Sequence, residues 1–304
     1  LATTSNIEWT DTTWQPIRGC QRISPGCQNC YAERQSIRLA GPGKAYEGLV
    51  QLTKGGPRWT GKYRHQRDEL TKPLRWRKAR KVFVCSMGDL FFEKVPDEII
   101  DDVFAVMLIA CLQERGPEHI FQVLTKRAQR LSEYTNDSTL PGRLAESAGQ
   151  LMEDGDAWHD IVYDYVEKHG PVHERIWAGV SCESADYTHR LDSLCEARGA
   201  VKWVSLEPLL GRVDVRGWLD DLDWVVVGGE SGSGNSVRGC SIDWIRNIIC
   251  ACQERGVAVF CKQLGSRPFQ ADTSFVSKPY PIDTFKGGDP AEWPAALRVR
   301  EYPR

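Results

Sequence analysis

Seven apolar runs of strand length, each ending in a polar or glycine-bearing tail, constrain this fold more than any other feature of the chain. They are TTWQPIRGC (12–20), KVFVCSMGD (81–89), HIFQVLTKR (119–127), IWAGVSCES (176–184), VKWVSLEPLLG (201–211), DWVVVGGESG (223–232) and VAVFCKQLG (257–265). Continuous β-branched and aromatic runs suit strands covered on both faces, the habit of a parallel sheet. Helical patterns fall between them. CYAERQSIRLA follows the first run, and VPDEIIDDVFAVMLIACLQERG the second, with Pro96 and Asp97 at its start and Gly116 at its end. SADYTHRLDSLCEARG follows the fourth, and SIDWIRNIICACQERG the sixth, with Ser241 as its cap. Strand, tail and helix in repetition is the βα pattern; about six or seven units fit, so the expected fold is α/β, a full or partial (β/α) barrel. In such a fold the site forms at the C-terminal ends of the strands, where these polar tails fall.

Two stretches break the rhythm. Residues 44–80 are basic and aromatic: from Lys54 to Lys81 there are eleven Lys/Arg against two Asp/Glu, interleaved with Trp59, Tyr63 and Trp76. Residues 132–175 are acidic, with ten Asp/Glu against three Lys/Arg, and LAESAGQLMEDGDAWHDIVYDYVEKHG within them reads as helix. Both read as insertions on a single barrel domain spanning 1–304. The tail from about 266 is Pro-rich and weakly patterned. A net charge of −2 names no partner by global electrostatics. No apolar run reaches transmembrane length and no signal peptide opens the chain, so a soluble, cytoplasmic protein without a membrane partner is expected.

Of eleven cysteines, three crowd into one loop: Cys20, Cys27 and Cys30, in GCQRISPGCQNC, spaced C-x6-C-x2-C. Cys85, Cys111, Cys250, Cys252 and Cys261 sit instead within apolar strand or helix patterns and read as small buried hydrophobes. Thiolate sulfur suits zinc or an iron–sulfur cluster. A structural zinc site wants four protein ligands. A cubane [4Fe-4S] cluster held by three thiolates keeps one iron open for a substrate or cofactor, which gives a chemical use to the number three. Zinc with a fourth ligand from elsewhere, and plain buried thiols, are the other readings of the spacing.

Three cysteines after a first barrel strand resemble those of a radical S-adenosylmethionine enzyme, with a first gap longer than the commonest C-x3-C-x2-C form. Asn29 stands where that superfamily often has an aromatic residue, and Tyr31 follows Cys30. The chain also resembles a family of phage-encoded and prophage-associated proteins through WTDTTWQPIRGC, SPGCQNCYA, PLRW, SMGDLF, LTKR, GVSCES, SLEPLLG, DWVVVGGESG and KQLG, in that order over roughly residues 6–265.

The radical enzyme resemblance implies a [4Fe-4S] cluster on Cys20, Cys27 and Cys30, with S-adenosylmethionine bound at its open iron. It implies reductive cleavage to methionine and a 5′-deoxyadenosyl radical that takes hydrogen from a substrate, with an electron donor such as a flavodoxin or ferredoxin. Ser86 and Asp89 stand where that superfamily holds the amino group of the cofactor. Lys126 and Arg127 offer cations for a carboxylate or phosphate, Ser181 and Glu183 hydrogen-bonding groups for a ribose, and Ser205 and Glu207 polar groups deeper in the mouth. Gly228 and Gly229 allow close backbone approach, Glu230 stands at the rim, and Lys262 and Gln263 close the ring; Arg127, Lys262 and Gln263 are assigned to the substrate. A structural ion pair, for instance between Glu207 and Lys126, is the plainer reading of such residues. Phage context points to a modified base in DNA, undergoing rearrangement, modification or repair, and the basic segment offers a track for phosphates. The competing class is a non-enzymatic nucleic-acid-binding protein with a zinc-stapled cysteine loop.

Overall fold

The computed structural model describes residues 5–271 and 277–303. All seven expected strands form: β1 (Thr12–Trp14), β2 (Lys81–Val84), β3 (Ile120–Thr125), β4 (Ile176–Ser181), β5 (Val201–Leu206), β6 (Trp224–Gly228) and β7 (Ala258–Gln263). They make one sheet in the order β1-β2-β3-β4-β5-β6-β7. β1–β2, β2–β3, β5–β6 and β6–β7 pair in parallel. Every residue of β4 and β6 is buried, as runs without apolar–polar alternation require. A doubly wound sheet reverses its strand order at a switch point. Here each strand lies beside its predecessor throughout, which is the winding of a (β/α) barrel, left open because β1 and β7 end the sheet. The fold class is therefore α/β, in the partial form of the expected barrel.

Besides one short turn of helix at Arg67–Leu70, the helices are α1 (Tyr31–Ser36), α2 (Asp97–Leu112), α3 (Ala128–Asn136), α4 (Leu140–Leu151), α5 (Gly155–His169), α6 (His189–Glu196) and α7 (Ile242–Arg255). The Ser241 hydroxyl caps α7 by accepting the Asp243 N–H at 3.2 Å, and Gly256 ends it with φ +70°. β5 is followed only by a 3-10 turn, Arg216–Trp218, so one βα unit lacks its helix.

The chain divides into two compact units. The first runs through Ile23, resumes at Cys30–Ala178 and takes in Glu196–Ala200; the second comprises Ser24–Asn29, Gly179–Cys195 and the chain from Val201 onward.

In the first unit, α2 is buried on nearly every face, from Ile100 to Cys111. A helix apolar all round must be covered all round. The acidic segment supplies part of that cover. α4 packs on α2 and α5 on α4, burying Leu140, Leu144, Ala145, Ala148, Val162 and Val166. Within this layer Asp101 is buried and accepts from the Tyr134 hydroxyl (2.7 Å) and Arg143 Nε (3.0 Å). The segment read as an acidic insertion is thus an integral layer of the core. The basic segment forms a hairpin, Val50–Thr53 with Gly56–Trp59, then Arg64–His65 paired antiparallel to Ile17–Arg18.

In the second unit, Trp203 and Trp224 lie 5.1 Å apart at the heart of the core. The tail is more ordered than its composition predicts: Pro268–Ala271 pairs with Cys240–Ser241 and with Ser277–Pro279, while 272–276 lie outside the described residues. Val299–Glu301 runs along the outer margin of β7. Cys261 N–H donates to the Val299 carbonyl (2.8 Å), and Glu301 N–H to that of Val259 (3.0 Å). Among the described residues, no helix is long and apolar enough to cross a membrane.

Candidate functional site

In the first unit, β1 delivers the chain to Gly19 and Cys20. Gly19 has φ +95°, and a Cβ there would stand 2.3 Å from the Lys62 carbonyl oxygen, so only glycine lets the chain pass. Its N–H donates to the Met87 carbonyl at 3.3 Å, tying the start of the cysteine loop to the tail of β2. The tail of β3 reaches the same loop through Arg127. That guanidinium donates to Asp89 Oδ2 (2.9 Å), Glu93 Oε1 (3.1 Å), the Gln21 carbonyl (2.8 Å) and Cys20 Sγ (3.5 Å). Burial opposes its charge, but the facing Asp89, Cys20 and Glu93 outweigh this and hold its pKa above the ordinary arginine value.

Asp89 is itself buried and saturated. Oδ1 accepts from Thr125 Oγ1 (2.7 Å) and the Phe91 N–H (3.0 Å), and Oδ2 from Arg127 and the Lys126 N–H (3.3 Å). The Lys126 ammonium makes no ion pair among the described residues. Ser86 accepts from Gln15 Nε2 at 2.5 Å, and its carbonyl accepts the Tyr31 hydroxyl at 2.6 Å. On the far flank of the loop, Glu33 of α1 is buried, accepts from Arg22 Nε at 3.0 Å and from the Trp59 N–H at 2.9 Å, and pairs with Arg22 Nη2.

In the second unit, the stretch Ser24–Asn29 that carries Cys27 is held in the same way by strand-end carboxylates. Glu183, after β4, is fully buried. It accepts the Gly26 N–H (3.2 Å) and Arg190 Nη1 (2.9 Å), and the same Nη1 donates to the Ser181 carbonyl (2.9 Å). A Cβ on Gly26 would stand 3.0–3.2 Å from that carboxylate. Glu230, after β6, accepts Asn29 Nδ2 (2.9 Å) and the Arg238 N–H (2.9 Å) and pairs with the Arg238 guanidinium, whose Nη1 donates to the Pro25 carbonyl (2.9 Å). Burial raises the Glu230 pKa, but hydrogen bonds from Arg238 and Asn29 outweigh it and leave the carboxyl below its ordinary range.

The ion-pair partner of Glu207 is Lys262, at 3.1 Å. Gln263 Nε2 donates to the Gly229 carbonyl (2.9 Å), and Gly228 passes so close to Glu207 that a Cβ would meet Oε1 at 2.8 Å. Ser205 is buried, and its carbonyl accepts the Cys182 N–H at 3.0 Å.

A family model described as "Protein of unknown function (DUF5131)" matches residues 4–282, nearly the whole chain and every residue of the strand ends and cysteine loop just described. The chain belongs to the DUF5131 family. No curated protein and no solved structure matches it.

In this DUF5131 chain the three loop cysteines form no disulfide and are partly exposed. The others differ. Burial pushes Cys85, Cys111, Cys240 and Cys252 up to about 12 and Cys195 up to about 11, values that keep a thiol protonated and inert. Among the described residues, no group of three or more His, Cys, Asp or Glu side chains could hold a single metal ion. A cubane spreads its thiolates over separate irons, and the residue types present suit one by donor chemistry: three partly exposed cysteines outside disulfides, one receiving a guanidinium N–H.

Sequence reasoning found the strand-end carboxylates of this DUF5131 chain and missed their partners. Arg22, Glu33, Asn29, Arg190 and Arg238 were not singled out. A signal existed, since two strand-end carboxylates have their arginine within eight residues downstream: Glu183–Arg190 and Glu230–Arg238. Buried carboxylates are nearly always paired, so a strand-end acid followed closely by an arginine merits that reading.

Proposed function

We propose that this chain is a radical S-adenosylmethionine enzyme whose [4Fe-4S] cluster is held by Cys20, Cys27 and Cys30. One observation carries the reading: the stretches that bear Cys20 and Cys27 are each braced by buried or largely buried ion pairs, while all three cysteines stay out of disulfides and only partly buried. Such bracing is what a cluster ligand set requires and what inert thiols do not. When bound, the cluster supplies one electron for cleavage of S-adenosylmethionine to methionine and the hydrogen-abstracting 5′-deoxyadenosyl radical, drawing on a donor such as a flavodoxin or ferredoxin.

The chain's own residues divide the remaining work. Arg127, Asp89, Glu183 and Glu230 act as positioning residues, because their polar atoms are taken up by one another and by the loop. Ser86, Lys126, Ser181, Ser205, Glu207, Gly228 and Gly229 are the strand-end candidates for the cofactor, and Lys262 and Gln263 for the substrate. Lys126 carries the cation not committed to a carboxylate, and suits the carboxylate of the cofactor's methionine end. The substrate we assign is a base in DNA, in a rearrangement, modification or repair reaction.

Iron and sulfide analysis of anaerobically reconstituted protein tests the proposal. About four irons per chain are expected, with loss of iron in Cys27→Ala and formation of 5′-deoxyadenosine on addition of S-adenosylmethionine and dithionite. A colourless protein with a single zinc would replace this reading with that of a zinc-stapled binding protein.

A further inference from the structure

The first unit carries a second polar feature at the opposite ends of its strands. Lys81 opens β2 and Ile120 opens β3, whereas Asp89 and Arg127 follow those strands, about 20 Å away for a six-residue strand. Beside these strand starts lies a cavity of about 580 Å³ lined by Trp76, Arg77, Gln113, Arg115, Gly116 and Pro117. Neither Arg77 nor Arg115 makes an ion pair or hydrogen bond among the described residues, and both are exposed. Arg75 and Lys78, which flank Trp76 and Arg77, are likewise exposed and unpaired. Glu114 and Glu118 are the nearby acids in sequence, and neither pairs with these cations.

Trp76 is held in place rather than loose. Arg80 lies over its ring at 5.6 Å, and the buried His119 meets it edge-on at 5.5 Å. Exposed arginines on both sides of the cavity leave their guanidinium groups to solvent or a ligand. Beside a fixed indole they present the two elements that recognise a nucleotide, cations for the phosphate and an aromatic wall for the base.

We propose that this cavity binds a nucleotide phosphate ester, in a single strand or free, with Arg77 and Arg115 on phosphate oxygens and Trp76 against the base. The site lies apart from the cysteine loop and does not depend on any cluster, so it serves as a separate hold on a polynucleotide.

Fluorescence anisotropy of a labelled ten-residue oligothymidylate, titrated with the metal-free 304-residue chain, tests this. Arg77→Ala/Arg115→Ala should weaken binding at least tenfold and flatten the salt dependence by about 1.4 logarithmic units per decade, from two single-strand phosphate contacts. Trp76→Leu, with an unchanged far-ultraviolet spectrum, should weaken it by roughly tenfold. Lys54→Ala/Arg58→Ala, an equal charge change on the hairpin of the same basic segment, should leave it within twofold. Competition by thymidine triphosphate separates the sources. Displacement at equal affinity assigns the cavity to free nucleotides, and weaker displacement assigns it to a strand. Undiminished binding in Arg77→Ala/Arg115→Ala, equal weakening by the hairpin pair, or no binding of either ligand overturns the proposal. Cys27→Ala should bind as wild type, so a failed cluster assignment and a failed nucleotide site are told apart.

Discussion

Replacing Arg127 with methionine separates the two tasks of its guanidinium. The side chains of Arg127 and Asp89 are 4% and 8% exposed, so the pair is out of water. Methionine keeps much of the stem and removes the charge. Asp89 then retains Thr125, Phe91 and Lys126 as hydrogen-bond donors but loses its counter-charge. Removing one partner of a buried pair costs about 3–5 kcal/mol. With three donors left, the lower end, ~3 kcal/mol, is expected in urea unfolding of the metal-free chain. Asp89→Asn in the same molecule removes the orphaned charge, so the double variant should lie about 2 kcal/mol closer to wild type than the sum of the singles. The contact with Cys20 Sγ behaves differently, because asparagine at 89 cannot restore it. Iron retained after reconstitution should therefore fall equally in Arg127→Met and in the double variant. A loss of stability under 1 kcal/mol, or additivity within about 0.5 kcal/mol, would refute the ion-pair argument. Full iron content in the double variant would refute the role of the N–H···S contact.

Three further outcomes are expected. His119 is kept neutral by burial and then by the charges of Arg80 and Arg175, which bring its pKa from 6.5 to about 4. Its contribution is present above pH 6.5 and is lost as pH falls toward 4; between pH 7 and pH 5 wild type should lose about 2 kcal/mol more than His119→Phe. That comparison also cancels His65 and His173, whose pKa values are lowered in the same sense, and parallel pH profiles for the two proteins would contradict it. Gly26→Ala forces a methyl against the fully buried Glu183 carboxylate that Arg190 pins, and should lower stability by about 1–3 kcal/mol and speed proteolysis within 20–30; a wild-type digestion pattern would show that the loop yields. Glu33→Gln should slacken the other flank of the loop, read as faster loss of iron to a chelator with little change in thermal midpoint, and retention at the wild-type rate would remove Glu33 from the brace.

The sheet was legible because burial on both faces writes itself as uninterrupted apolar runs, such as WVVVG, which survive without knowledge of neighbours. α2 and α7 were legible for a similar reason, through Pro96 at the start of one and Ser241 and Gly256 at the ends of the other, although α2 stops at Leu112, short of Gly116. The acidic segment misled because charge counting registers the solvent face alone; the buried stripe of Leu144, Ala148, Val162 and Val166 is sparse and shared between two helices. The site was half legible. Residue type and strand-end position picked out Asp89, Glu183 and Glu230. What each touches depends on side-chain reach in three dimensions, and Arg127, read as a hand for the substrate, is spent on Asp89, Glu93 and the loop.

The margin of β7 is where an eighth strand would have shut the ring. Residues 299–301 occupy that margin instead, taking up hydrogen-bonding groups that a bare strand offers to any passing backbone. They thereby cover the middle of that edge, and trimming the chain before Val299 would bare backbone groups able to pair with a second copy.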